Sequence, residues 1–324
     1  MKSFSSSDFT DYCSTFADQP KYVILGCQGS GTNMASRLLQ SIFRFSVVHD
    51  RSLIFNSAAA LVGSFNELNA SAQFDHFCKR VFPGDIRKRF MLKRHYRQAK
   101  HFKNMPRKLD FSLINSPAEF AHYLYAYHGF STGATHLGLK SDDIWESLEF
   151  MDDVLPNRRY LLLVRDPRDN ALSISNKDFG PRNLFVTSAY VKRRMDLYRS
   201  AAERMKKEDV IIVRYEDLLS QPIRELERIS NQWNLTPVED IASQVKKNNI
   251  RRNNQKKWLL LSKPQLETCE SILKDLIVAY GYELNLPSHN STVGAIKRLG
   301  WQMSDVAQRI PQRLYKTCRN LVSP

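Results

Sequence analysis

The chain has 324 residues, of which 42% are hydrophobic and 25% charged, a composition typical of a folded globular protein rather than a wholly disordered one. Its 48 Lys and Arg residues outnumber 33 Asp and Glu residues, and the resulting net charge of +15 favours an anionic partner. The apolar runs are too short for a membrane span, which needs about 18 residues, and five cysteines without a C-x-x-C spacing argue against a disulfide framework or a zinc site.

The first regular elements are predicted around a glycine-rich loop near the N-terminus. Lys21–Gly26 is a short apolar run, which is typical of a buried strand. Asn33–Phe43 has apolar residues at helical spacing, so it is predicted as a helix. Strand, glycine loop and helix therefore follow one another, and Phe45–Val48 is predicted as the next strand.

Further along the chain, predicted strands and helices alternate. The strands are predicted at Thr135–Lys140, Tyr160–Arg165 and Val210–Arg214, and the helices at Phe120–Phe130, Ile144–Leu155, Pro222–Trp233 and Pro264–Tyr280. The strand from Tyr160 is apolar up to Val164, as in strands covered on both faces. This alternation predicts an α/β fold with a central, mostly parallel sheet.

The loop between the first strand and helix, Gly26–Thr32, has the residues of an anion-binding site. Its backbone N–H groups and the following helix N-terminus can surround a phosphate, which glycine allows to approach closely. The spacing is that of a Walker A motif without its Lys, which disfavours an ordinary kinase or NTPase. A plain turn is one alternative, and a dinucleotide site using Asp50 is another, although Met34 replaces its third glycine.

A second candidate anion site follows the strand that ends at Val164. Arg165 can bind a phosphate through two parallel hydrogen bonds. Pro167 opens a predicted helix, and Ser173, eight residues after Arg165, falls where it can face the same anion. The alternative is a surface cluster of Arg and Asp salt bridges, which would be of little energetic consequence.

Together, the two motifs resemble those of the sulfotransferases that use 3′-phosphoadenosine 5′-phosphosulfate (PAPS). The resemblance covers about residues 21–283 and implies a P-loop-like, three-layer α/β/α fold around a central, mostly parallel sheet. It implies that the glycine loop holds the 5′-phosphosulfate and that Arg165 and Ser173 hold the 3′-phosphate. No metal ion is implied, since protein cations can neutralise the transferred group.

The resemblance also implies roles for two later segments. Arg214–Leu218 resembles a family segment whose Tyr, here Tyr215, lies near the nucleotide. The basic stretch Arg251–Trp258 resembles a late loop that closes over the nucleotide. The cofactor-binding residues implied are Gln28, Gly29, Ser30, Gly31, Thr32, Asn33, Arg165, Ser173 and Tyr215.

The glycine loop departs from the family pattern at one position. Family members usually carry Lys or Arg immediately before Ser-Gly-Thr, where this chain has Gly29. That cation neutralises the transferred sulfuryl group. We therefore expect Lys140, at the end of a predicted strand, or a cation of the basic insertion described below, to take its place.

The acceptor hydroxyl also needs a general base. The resemblance implies an acid just past the second strand, where this chain has Asp50. Asp142, two residues after Lys140, is one alternative, and His49 and His136 are others. The predicted catalytic residues are thus Asp50 and Lys140.

A strongly basic segment is the predicted acceptor surface. Residues 74–110 form a basic insertion, in which Lys79–Lys108 contains twelve Lys or Arg residues and one acid, Asp85. An acidic glycan or a glycolipid would suit this charge, whereas no motif supports nucleic-acid binding. The nearby Tyr123, Tyr125 and Tyr127 either stack on sugar rings or pack in the core.

The chain is predicted to have three parts. Residues 1–20 form a polar lead-in without the features of a secretory signal, residues 21–284 form the domain, and residues 285–324 form a basic helical tail. The tail either lies on a membrane surface or packs on its own domain. A cytoplasmic location is expected, with the tail as a candidate membrane contact.

The sequence therefore predicts a PAPS-dependent sulfotransferase that moves the sulfuryl group in line to an acceptor hydroxyl. Two alternatives stay open. A non-catalytic nucleotide-binding member of the same fold is suggested by Gly29, and a dinucleotide-dependent oxidoreductase is suggested by the glycine loop taken alone.

Overall fold

A computed structural model of the protein describes residues 6–49, 114–140, 151–177, 182–248, 250 and 255–285. The described strands form one five-stranded sheet, and every pairing between them is parallel. The strands are β1 (Lys21–Leu25), β2 (Phe45–His49), β3 (His136–Lys140), β4 (Arg158–Val164) and β5 (Val210–Arg214). Their order across the sheet is β2-β3-β1-β4-β5.

The described helices lie before, between and after these strands. They are α1 (Ser6–Ala17), α2 (Thr32–Phe43), α3 (Pro117–Thr132), α4 (Met151–Val154), α5 (Pro167–Ser175), α6 (Leu184–Glu203), α7 (Tyr215–Ser220), α8 (Pro222–Trp233), α9 (Ile241–Lys247) and α10 (Lys263–Ala279), with short 3-10 turns at Lys207–Asp209 and Lys257–Leu260. In the described part of the chain, no helix is long and apolar enough to cross a membrane.

The sheet is covered on both faces, which gives the predicted three layers. Alternate residues of a strand point to opposite faces. Accordingly, Val23 and Leu25 pack with α3, α5, α6 and α10 in one core cluster, whereas Tyr22 and Ile24 pack with α2 and α8 in the other. The three-layer α/β/α architecture expected from the sequence is confirmed.

The strand order locates the candidate site. The chain runs from β1 to β2 and β3 on one side of the sheet, and the connection from β3 to β4 then crosses to the other side of β1. Ligands of open α/β sheets bind at the carboxyl ends of strands at such a switch point. The order also differs from the 3-2-1-4-5 order of dinucleotide-binding folds, which counts against the oxidoreductase alternative.

The N-terminal segment contains a helix that was not predicted. Within the supposed polar lead-in, α1 buries Phe9, Cys13 and Phe16 against α3. Their spacing of four and three residues puts them on one helical face. The ammonium of Lys21 then donates to three carbonyls where α1 ends, those of Phe16, Ala17 and Gln19, at 2.7, 2.9 and 2.9 Å.

The three tyrosines of α3 belong to the core. Tyr125 is buried, and the rings of Tyr123 and Tyr127 lie 6.2 and 5.9 Å from that of Phe9. Their packing against α1 supports the core alternative over sugar stacking. The basic insertion and the C-terminal tail lie outside the described residues.

Candidate functional site

The glycine loop forms the first wall of the site. It joins β1 to α2, and both Gly29 and Gly31 have left-handed backbone conformations, with φ of +88° and +94°. Gly31 is the N-cap of α2, so the N–H groups of the first turn point out of the helix towards the loop. This is the arrangement of a phosphate cradle at a helix N-terminus.

The second predicted motif lies directly against this loop. Arg165 is 1% exposed, and its Nη1 donates to the carbonyl oxygen of Gly29 at 2.9 Å. A Cβ placed on Gly29 would lie 2.8 Å from the Oγ of Ser173 and 3.4 Å from the Oδ1 of Asn170. The structure therefore brings together the glycine loop, Arg165 and Ser173, as expected from the sequence.

Tyr215, the first residue of α7, closes the side of the loop. Its ring centroid lies 4.8 Å from the guanidinium carbon of Arg165. A Cβ on Gly31 would approach the Tyr215 ring to 2.4 Å, so only glycine fits beside it. Tyr215 thus contacts both candidate phosphate sites.

The remaining loop residues have different surroundings. Gln28 accepts a hydrogen bond from the hydroxyl of Tyr190 on α6, at 3.1 Å. Ser30 and Thr32 are buried, whereas Asn33 is exposed at the start of α2. Gln28 is therefore held by a helix that the sequence did not predict.

Lys140 is the last residue of β3, at the carboxyl end of the strands, where the glycine loop also lies. It pairs in register with Ile24 of β1 on one side and with His49 of β2 on the other, and it is 4% exposed. Lys140 is therefore next to the strand that leads into the glycine loop. Asp50, which follows His49 in the chain, lies outside the described residues, as does Asp142.

His136 is at the wrong end of the sheet to act as the base. It begins β3, about 13 Å from Lys140 at the usual rise per residue. Its ring packs on those of Tyr22 and Phe45, and burial lowers its pKa to about 4. It is a core residue, and the site does not include it.

Similarity to known proteins agrees with this geometry. The sequence profile described as the sulfotransferase family matches residues 20–240, which is more than half of the chain. The chain belongs to the sulfotransferase family. No curated protein sequence matches it closely enough to count as a relative.

Solved sulfotransferase structures share the fold. The sulfotransferase domain from the curacin biosynthetic pathway is 17% identical, with 82% of this chain and 98% of that chain covered and a TM-score of 0.51. The sulfotransferase domain of the olefin synthase from Synechococcus PCC 7002 is 16% identical, with coverages of 83% and 96% and a TM-score of 0.53. At these identities, the similarity shows a common fold.

In this sulfotransferase, a buried ion network supports the second anion site. Arg168 pairs with both carboxylate oxygens of Asp166, at 3.0 and 2.8 Å, and with Glu270 of α10 at 2.5 Å. All three side chains are at most 7% exposed. The alternative of a surface salt-bridge cluster is therefore wrong, because this Arg/Asp cluster lies in the interior.

The same network holds the late loop predicted to close over the nucleotide. The guanidinium carbon of Arg168 lies 3.8 Å from the ring centroid of Trp258, and the backbone N–H of Trp258 donates to the carboxylate of Asp169 at 3.0 Å. Asp169 is also 3.5 Å from Arg165. Burial raises the pKa of the Asp169 carboxyl, while the Trp258 N–H and the Arg165 charge oppose that rise.

Glu216 connects Tyr215 to the strand end of β4. Its carboxylate accepts from the N–H of Asp166 at 3.1 Å and from the hydroxyl of Tyr282 at 2.6 Å. Burial raises the pKa of Glu216, and these two donors oppose the rise. The network residues Arg168, Asp169, Glu216 and Glu270 were not predicted as site residues.

The described residues contain no group of three or more His, Cys, Asp or Glu side chains placed to hold a metal ion. The positive charges and N–H groups around the glycine loop are the features available there for an anionic ligand. Their chemistry is that of phosphate and sulfate recognition.

Proposed function

We propose that this sulfotransferase binds PAPS and transfers its sulfuryl group to an acceptor hydroxyl. The observation that supports this most directly is the contact between the glycine loop and the Arg165–Ser173 segment. Two anion-binding elements that are distant in sequence meet at one edge of the sheet, as a nucleotide with phosphates at both its 5′ and 3′ positions requires.

The polar groups around this contact fit such a ligand. The Oγ of Ser30 and both polar atoms of the Asn170 side chain are buried without a hydrogen-bond partner among the described residues. Buried polar groups are nearly always paired in folded proteins, so unpaired ones at a cradle indicate a ligand or an ordered water. We propose that the 5′ side binds at residues 28–33 and the 3′-phosphate at Arg165 and Ser173, with Tyr215 against the nucleotide.

The chemistry then falls to two residues. When bound, PAPS supplies an activated sulfuryl group. Asp50 takes the proton from the acceptor hydroxyl as the acceptor oxygen bonds to sulfur. Lys140 supplies positive charge while the bond from sulfur to the 5′-phosphate oxygen breaks and its electron pair leaves with adenosine 3′,5′-bisphosphate. Such preorganised charge stabilisation is commonly a large contribution to enzymatic rate.

Lys140 is favoured for this role by the backbone at Gly29. The φ of +88° at Gly29 is unfavourable for any residue with a side chain, and a Cβ there would crowd Ser173. The loop in this conformation therefore does not accommodate the family's usual Lys or Arg. A buried Lys on the adjacent strand is the best-placed described replacement, and a cation from the basic insertion is the alternative.

The same conformation favours a second candidate function, a nucleotide-binding member of the family without transferase activity. Product formation distinguishes the two. The protein is incubated with labelled PAPS and a panel of acidic glycans, glycolipids and phenols, and we expect label to move to an acidic glycan or glycolipid. Tight binding of adenosine 3′,5′-bisphosphate with no product from any acceptor would support the non-catalytic candidate instead.

Nucleotide recognition is tested separately by calorimetry. We expect Ser173→Ala to weaken binding of adenosine 3′,5′-bisphosphate by roughly 10- to 100-fold, since a hydrogen bond to a charged group contributes about 1.5–3 kcal/mol. Binding of adenosine 5′-monophosphate should change little, because it has no 3′-phosphate. Ser175→Ala, on the same helix but bonded to the Leu172 carbonyl, is the matched control. Equal losses for both nucleotides would refute the assignment.

We further propose the organisation and setting of this enzyme. Residues 21–284, together with the packed helix α1, would form the catalytic domain, with the insertion at 74–110 as acceptor surface and residues 285–324 as a separate tail. A cytoplasmic location fits five cysteines without a paired spacing and the buried thiols of Cys13, Cys27 and Cys269, which form no disulfide. We propose no nucleic-acid partner.

A further inference from the structure

The Lys257–Leu260 turn, in which the late loop ends, presents two leucines to solvent beside the candidate site. Leu259 and Leu260 are 60% and 89% exposed, and Leu260 is the most exposed large apolar side chain in the part of the chain that the structure describes. Single exposed apolar residues are ordinary on protein surfaces. Two adjacent ones at a protruding turn, rimmed by polar residues, are typical of an interaction surface.

The charged residues in this stretch of the sequence are all cationic. Lys256, Lys257 and Lys263 flank the leucines and are exposed, and no acid occurs between residues 255 and 266. A paired apolar tip within a cationic rim matches an anionic lipid surface, where the leucines enter the headgroup region and the lysines remain among the phosphates. An acidic protein surface would match the lysines but not two leucines exposed to this extent.

The loop is also held rigidly at its base. The backbone N–H of Trp258 donates a hydrogen bond to Asp169. The Trp258 ring packs on Arg168, which is paired with two buried carboxylates. The leucines are therefore projected from an ordered turn, Lys257–Leu260, and need little further ordering to bind. A preorganised tip loses less conformational entropy on binding than a flexible loop does.

We propose that the Lys256–Lys263 segment docks this protein on anionic lipid bilayers. The contact would hold the side of the protein that carries Asp169 and Arg165 close to the bilayer. If the proposed function is correct, the acceptor is then a glycolipid whose hydroxyl is presented at that surface. The docking itself does not depend on transferase activity, so the two proposals can fail separately.

Vesicle sedimentation with the full chain tests the docking. The protein is mixed with sucrose-loaded vesicles of phosphatidylcholine alone or with one quarter phosphatidylglycerol. We expect binding to the anionic vesicles, weakened at 1 M salt, where the screening length falls to about 3 Å. The double variant Leu259→Ser/Leu260→Ser should bind at least about tenfold more weakly, since each loses a buried apolar side chain.

Two comparisons complete the experiment. Lys257→Gln/Lys263→Gln should reduce anionic-vesicle binding by roughly fivefold per charge and leave phosphatidylcholine binding unchanged. Val278→Ser, which removes a 58% exposed apolar side chain from α10, should bind as the wild type does. Absence of wild-type binding to anionic vesicles would overturn the proposal. Full binding by the leucine variant, with an unchanged melting temperature, would also overturn it and assign the contact to another region, such as the basic tail.

Discussion

Replacing Arg168 should destabilise the protein more than replacing any exposed cation. Arg168→Met keeps an unbranched, though shorter, side chain and removes the charge. The change leaves the carboxylates of Asp166 and Glu270, which are 7% and 5% exposed, without their common partner. Removing one member of a buried ion pair costs about 3–5 kcal/mol, because a buried charge is left uncompensated. Loss of the contact with the Trp258 ring adds to this cost.

The measurement is urea unfolding at neutral pH, with thermal unfolding as a second readout. A loss of about 3–5 kcal/mol corresponds to a fall in melting temperature of roughly 4–8 °C in a chain of this size. Lys247→Met is the matched control, since it breaks a 2.7 Å pair with Glu239 in which both side chains are more than half exposed. Exposed pairs contribute about 0–1 kcal/mol, so the control should be nearly neutral.

A further variant separates charge from packing. If uncompensated charge is the cause, adding Glu270→Gln to Arg168→Met should restore part of the lost stability. The reasoning would be refuted if Arg168→Met cost no more than Lys247→Met. It would also be refuted if Glu270→Gln lowered the stability of the Arg168→Met variant further.

Three other outcomes are expected. Lys140→Met should lower turnover by roughly 10²–10³, as for loss of a group that stabilises developing charge, with product nucleotide affinity nearly unchanged; a fully active variant would assign the charge to the basic insertion. Asp50→Asn should lower turnover by about 10²–10⁴ at unchanged nucleotide affinity, and an active Asp50→Asn beside an inactive Asp142→Asn would identify Asp142 as the base. Burial lowers the pKa of both His122 and His136 to about 4, so the unfolded chain takes up protons from about pH 6.5 downwards while the folded protein does not, and stability should fall between about pH 6.5 and 4. Urea unfolding across that range checks this, and His136→Phe should flatten the dependence.

The strands were predictable because they are apolar runs that end at glycine, proline or charge. The apolar runs that form β4 and its neighbours β1 and β5 are visible in the sequence alone. In contrast, α6 was not predicted, although it has 20 residues. Its buried face includes Thr187, Ser188 and Arg194, so it shows no continuous apolar stripe.

The site was predictable where its residues form short local motifs, such as the glycine loop or the segment from Arg165 to Ser173. Arg165 and Ser173 are eight residues apart, and the helix that begins at Pro167 carries Ser173 about two turns further on, where it can face the same anion. The bond from Trp258 to Asp169 spans 89 residues, and no local pattern indicates it. The sequence also shows a glycine at position 29, but the left-handed backbone that excludes a larger residue there is a property of the folded loop.

The hydrogen bonds of Lys21 show that the folded domain begins before the segment that matches the family. Similarity to the family begins at residue 20, after α1 has ended. However, Lys21 is 7% exposed and donates to three carbonyls near the end of that helix, and burial lowers its pKa to about 8. A chain that begins at the family boundary would lack the three carbonyls to which this ammonium donates. It would also expose the aromatic residues of α3 that α1 covers. Recombinant or chimeric versions of this enzyme therefore need α1 as part of the transferred unit.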